Sequence, residues 1–190
     1  MSKPYDFLIV GAGIVGLSSA FHIKKRFPDI HLKVFTMVEM DYYARVSGIS
    51  IEEFLDRCIA AGLESCPGGG AEIFDEEIRQ KICIGKKDAN IWLNNARICH
   101  QKGLKTNCTM LYGHIEKPTH KIDHLNRLRT LQDETNGFLA YIPLAYQIED
   151  NELGRTYPIK ETTGFADLRE IAVARLFLDN IPHIKAYWVM

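Results

Sequence analysis

Apolar positions along the chain fall into two alternating rhythms. The stretch 7–10 (FLIV) is a short continuous apolar run, the pattern of a strand buried on both faces. A helical pattern follows over 14–27 and a second strand is expected at 31–35, which completes the start of a βαβ unit. The alternation then repeats. Ser50 and Glu53 have capping-box spacing ahead of IEEFLDRCIAAG, whose Ile51, Phe54, Leu55, Cys58 and Ile59 recur on one helical face and which Gly62 closes. A strand at 63–66 runs into PGGGAE, Asp75 caps a short helix to about residue 83, and a longer helix at 88–102 is closed by Gly103. A strand at 104–112, a helix from Pro118 ended by Gly137, and a strand at 138–146 come next. A polar loop to about residue 161, a helix at 163–180 and a strand at 183–190 complete the series.

Repeated strand–helix units predict an α/β fold with a parallel sheet, because right-handed crossovers cover the faces of the strands. Periodicity leaves open whether the sheet is doubly wound or closed into a barrel. Both architectures bind ligands in the loops after the carboxyl ends of strands. Three stretches sit there: CPGGGAEIF (66–74), MLYGHIEKP (110–118) and IPLAYQIEDNEL (142–153).

Composition narrows the partners. The 190 residues are 46% hydrophobic and 25% charged with a net charge of -1, an ordinary globular balance that lacks the basic block a nucleic acid or anionic membrane would attract. No apolar run reaches the roughly 20 residues of a membrane span, and the expected location is cytoplasmic. The five cysteines (Cys58, Cys66, Cys83, Cys99 and Cys108) are widely spaced and read as buried free thiols.

The candidate chemistry begins at GAGIVG. Gly11 permits a sharp turn behind the first strand, Gly13 would admit a pyrophosphate to the backbone, and Gly16 would let the helix approach the strand closely. An acidic residue should end the second strand to hold a ribose hydroxyl. Thr36 stands there instead, with Glu39 three residues later. The opening resembles the flavin-binding start of glycine-oxidase-like and L-2-hydroxyglutarate-oxidase-like flavoproteins, which makes a small FAD- or nicotinamide-binding oxidoreductase or binding module one reading. A βα unit that packs without any dinucleotide is another. Further along, Gly68, Gly69 and Gly70 clear side chains from a place of close approach, and Glu72 offers an acceptor to hydroxyl or ammonium groups. Glu116 reads either as a ligand acceptor or as charge at a helix amino end. His120 and His124, four apart, are expected on a solvated helix face rather than at a metal, and no metal site is expected. Trp92, Leu93, Leu125, Leu128 and Leu131 have core spacing.

Three long blocks carry a more specific signal: TMVEMDYYARVSGISIEEFLDRCIAAGLESCPGGGAEIFDEEIRQKIC, TNCTMLYGHIEKPTHKIDHLNRLRTLQDETNGFLAYIPLAY and LFLDNIPHIKAYWVM. Over about 32–190 the chain closely resembles the aminofutalosine synthase family, radical S-adenosylmethionine enzymes of the futalosine route to menaquinone. The resemblance implies a partial (β/α) barrel with S-adenosylmethionine across the strand ends, preceded by a Rossmann-like βα segment at 1–31. It implies Glu72 near the cofactor's ribose beside Gly68, Gly69 and Gly70, and Tyr112, Gly113, His114 and Glu116 at the cofactor. Thr36 and Glu39 would face a small-molecule substrate. The implied reaction adds a 5′-deoxyadenosyl radical to an enolpyruvyl benzoate. It requires a [4Fe–4S] cluster on a CxxxCxxC loop, and none of the five cysteines has that spacing. The chain is therefore expected to be inactive by itself, short of the cluster loop and the last βα unit. Open sheet edges predict a tendency to form homodimers.

Overall fold

The computed structural model describes residue 9 and residues 13–83 and 88–187. The strand expected at 7–10 and Gly11 lie almost wholly outside them. The elements run in chain order α1 (Ile14–Arg26), α2 (Met37–Val46), α3 (Ile51–Ala60), β1 (Ser65–Cys66), α4 (Glu76–Ile82), α5 (Ala89–Gln101), β2 (Lys105–Tyr112), α6 (Pro118–Thr135), β3 (Phe138–Ala145), α7 (Glu152–Thr156), α8 (Gly164–Phe177) and β4 (His183–Ile184).

The four strands pair in parallel in the order β1-β2-β3-β4, and a parallel bridge from Lys33 to Ser65 adds one more position beyond β1. This order decides between the two architectures that periodicity left open. Every crossover steps the same way round, with none of the reversal that a doubly wound sheet needs, so the strands form an arc of a (β/α) barrel. Partial burial holds the Lys33 ammonium below the usual lysine value, with a smaller contribution from Lys185.

Alternation along the strands separates two faces. Thr106, Cys108, Met110 and Tyr112 of β2 and Tyr141 of β3 point to the helices: Thr106 Oγ1 meets His100 of α5 at 2.9 Å, and the Tyr112 hydroxyl donates to Asp167 of α8 at 2.8 Å. Asn107, Thr109 and Leu111, with their β3 partners Ala140, Ile142 and Leu144, line the concave face. The core lies between the convex face and the helices, where Trp92, Leu125, Leu128 and Leu131 are buried as their spacing predicts together with Phe74, Phe138 and Tyr141, and Leu93 packs on its margin.

Several local expectations are corrected. Helix α2 was not foreseen; Thr36 caps it, with the Glu39 amide donating to the Thr36 hydroxyl and the Glu39 carboxylate accepting from the Thr36 amide at 2.8 Å. The box foreseen at Ser50 is only half made, since the Glu53 amide donates to Ser50 while the Glu53 carboxylate pairs with Arg57 at 2.5 Å. Asn136, at φ 47°, and not Gly137, takes the left-handed position that ends α6. Gly137 is required for another reason, because a Cβ there would lie 2.0 Å from the His100 ring. The expected polar loop contains α7, and among the described residues the last strand pairs over His183–Ile184. The cysteines are free and buried, except for half-buried Cys58. No described helix is long and apolar enough to cross a membrane.

Candidate cofactor-binding site

At the carboxyl end of β1 the chain turns through Pro67, Gly68, Gly69 and Gly70 against the start of β2. Gly68, at φ +74°, lies so close to β2 that a Cβ would sit 1.7 Å from the Asn107 carbonyl oxygen, so no other residue fits. The loop expected as a candidate cradle is therefore held rigidly. Arg79 of α4, only 2% exposed, donates to the carbonyls of Gly70 and Ile73 at 3.2 and 3.1 Å and to that of Ala71. The Trp92 indole donates to the Gly69 carbonyl at 3.1 Å. Sequence reasoning missed Arg79, which stands in EEIRQKI with the look of a solvated helix charge. Glu72 follows at φ 50°, a left-handed conformation unusual for glutamate, and its carbonyl accepts the Leu111 amide at 2.8 Å. That bond ties the PGGGAE loop to the end of β2.

The second stretch forms a tight turn at the end of β2. The Glu116 side chain, 5% exposed, accepts the amides of Gly113 and His114 at 2.8 Å each. Glu116 lies two residues ahead of α6 and spends its charge on loop amides, so the reading as plain helix-end charge is replaced by a buried loop staple. His114 Nε2 donates to the Leu111 carbonyl at 3.1 Å, and its Nδ1 lies 3.2 Å from Glu116. Burial holds this imidazole below the usual histidine value, while Glu116, the Leu111 carbonyl and Glu72 pull it upward. The bond from the Leu111 amide to the Glu72 carbonyl, next to the carbonyl that His114 engages, is the direct sign that the two loops converge. The Tyr146 ring stands edge-on to His114, with centroids 6.0 Å apart.

The remaining candidates fall elsewhere. The Tyr112 side chain, expected at the cofactor, points instead to the helical layer, since its neighbours alternate toward opposite faces and its hydroxyl is engaged by Asp167. Thr36 and Glu39 border the glycine loop, the Thr36 methyl lying 3.1 Å from where a Cβ of Gly69 would be, but their polar groups are joined to each other. His124 is a core residue rather than a solvated one: it is 0% exposed, stacks on Phe74 at 3.9 Å and donates from Nε2 to the Thr109 carbonyl at 2.9 Å. Burial pushes its pKa down to about 3. Among the described residues no three histidine, cysteine or acidic side chains gather as a metal site. Gly13 caps α1 in ordinary extended backbone, Gly16 lies within that helix, and Gly11 lies outside the described residues.

Residues 135–190 match the family model described as the CofH/MqnC C-terminal region. The chain is 49% identical over 167 residues to the aminodeoxyfutalosine synthase of Thermus thermophilus, covering 87% of this chain and 45% of that protein. The aminodeoxyfutalosine synthase of Streptomyces coelicolor is 47% identical, over 88% of this chain and 45% of its own length. A cyclic dehypoxanthine futalosine synthase from the same organism is 42% identical, over 88% of this chain and 41% of its own length. The chain thus spans somewhat under half the length of these relatives. None of them supports the flavin or nicotinamide reading drawn from the opening glycines. Over most of its length, then, the chain is a relative of the aminodeoxyfutalosine synthases and carries the CofH/MqnC C-terminal region.

Proposed function

We propose that this chain supplies the cofactor- and substrate-facing part of an aminodeoxyfutalosine-synthase-type radical S-adenosylmethionine barrel serving menaquinone biosynthesis. The observation that carries the reading is the convergence of PGGGAE and GHIE at the ends of adjacent strands, in a chain 49% identical to an aminodeoxyfutalosine synthase. The residues present fit S-adenosylmethionine. The braced backbone of Gly68, Gly69 and Gly70 provides close approach for the adenosyl group, and the half-buried Glu72 provides a carboxylate for ribose hydroxyls. Gly113 and His114 form the facing wall, with Glu116 fixing their backbone.

The residues present do not fit a [4Fe–4S] cluster. Three thiolates must converge on one, whereas among the described residues no three such side chains gather as a metal site; Cys66 meets Cys99 inside the core with Cys58 nearby, and burial raises the thiols of Cys58, to about 11, and of Cys108. No step of the synthase reaction is therefore assigned to this chain, whose role is binding. Calorimetric titration of iron-free protein with S-adenosylmethionine tests this, with FAD in parallel. Binding of S-adenosylmethionine that vanishes in Glu72→Ala is expected; FAD binding that vanishes in Gly13→Val would overturn the reading.

A further inference from the structure

We propose that a cleft in the helical layer, walled by α2, α4 and the start of α5, binds a small alkylammonium, a free primary amine in its charged form. The cleft is lined by helix and cap residues alone, apart from the strand ends, so it does not depend on the cofactor reading.

Sequence spacing brings the lining together. Met37 and Asp41 lie four apart on α2, and Asp88, Ile91, Trp92 and Asn95 recur at helical spacing from the cap of α5 onward, so each set shares one face. The two faces meet where the Asn95 side-chain amide donates to the Met37 carbonyl at 3.4 Å. Between them opens a cleft of about 240 Å³, its mouth included, with Arg79 of α4 on its wall.

This wall presents acceptors that lack donors. Asn95 is only 4% exposed, and its carbonyl oxygen accepts nothing among the described residues. Nor is that oxygen sealed in: the fully enclosed side-chain atoms without a partner among the described residues belong to His114, His124, Tyr141 and Asn180, so the Asn95 oxygen opens on the cleft that Asn95 lines. A buried amide oxygen calls for a donor. Half-buried Asp41 has no side-chain hydrogen bond or ion pair among the described residues, and Asp88 at the rim gives one oxygen to the amides of Asn90 and Ile91 and leaves the other open. Three acceptors thus line one space, and an ammonium carries three donors. Arg79 directs donors to the carbonyls of Gly70, Ala71 and Ile73, and two carboxylates against one guanidinium leave one negative charge in excess, which a single ammonium cancels. Met37, Val38, Ile91 and Trp92 complete the wall, apolar surface for an alkyl chain and an indole for its charged head, a lining that suits an organic cation rather than a hydrated metal ion.

The test is NMR titration of the whole chain carrying Trp188→Phe, which leaves Trp92 as the single indole, with n-butylammonium, with neutral n-butanol and with potassium ion at constant ionic strength. A saturable shift of the Trp92 indole N–H with butylammonium, and none with butanol or potassium, is expected. Asp41→Asn should weaken binding about tenfold, the loss of one charge-assisted hydrogen bond. Asp88→Ser, which keeps the helix cap and removes the charge, should do the same. Neither change should lower the thermal midpoint without ligand, whereas loss of a structural carboxylate would. The proposal is overturned by the absence of a saturable shift with butylammonium, by an equal shift with butanol or potassium, or by binding indifferent to the double variant. Tighter binding of Nα-acetyl-lysinamide would overturn it too, by assigning the cleft to a lysine of a partner protein.

Discussion

Single side chains in this molecule act mainly by being buried with a defined partner. Glu116 is the sharpest case, a carboxylate that closes a turn by taking two amides. Glu116→Gln replaces one acceptor oxygen with a donor facing an N–H, and a loss of about 2 kcal/mol in urea denaturation is expected. Gly68→Ala should be worse, by several kcal/mol, since a methyl cannot share space with the Asn107 carbonyl and the backbone is left-handed. His124 and His100 set a pH dependence. Burial lowers them to about 3 and about 4, whereas both titrate near 6.5 in the unfolded chain. Below that value the unfolded chain binds more protons, so stability is complete above pH ~6.5 and declines as pH falls, by roughly 2 kcal/mol for each histidine at pH 5. Denaturation at pH 7 and pH 5 checks this, and His124→Phe should remove about half of the difference. A flat profile would mean that neither ring is buried.

At the scale of elements, the termini carry the information. Asp75, Asp88 and Asn151 accept amides at the heads of α4, α5 and α7, as do the hydroxyls of Thr36 at α2, Ser50 at α3 and Thr163 at α8. Thr36 has a double bearing, since its cap also orients α2 against the glycine loop. Thr36→Ala should cost about 1 kcal/mol, and any effect on ligand binding is expected to be smaller than that of Glu72→Ala in the same titration. Most strands and helices were legible because their apolar periods and caps are local. Helix α2 was hidden because MVEMDYYARV carries a weak apolar stripe next to a segment that reads as a strand end. His124 was misread because its four-residue spacing from His120 suggests a shared face, although rotation along α6 turns His120 toward Lys117 and His124 into the core.

For the whole molecule, the sheet edges matter most. Among the described residues the arc runs from the Lys33 bridge on one side to the short β4 on the other, and α8 leaves Phe165, Leu168 and Leu176 exposed beside β4. We propose that these edges drive self-association. Sedimentation across a concentration series should show dimers or larger species; a monomer throughout would refute it. The division into a Rossmann-like segment at 1–31 and a barrel segment at 32–190 remains a proposal of the same scale. Limited proteolysis that cuts first near residues 27–35 would support it.

Strand and helix alternation, the parallel sheet, the position of the three loops and the kinship of residues 32–190 could all be read from the chain alone, because each depends on neighbours in sequence or on long ungapped motifs. Strand order, the bond that ties the Glu72 carbonyl to Leu111 and the bracing of the glycine loop by Arg79 could not. Each of these depends on where the chain returns, and the contact is fixed only when the crossovers all turn the same way.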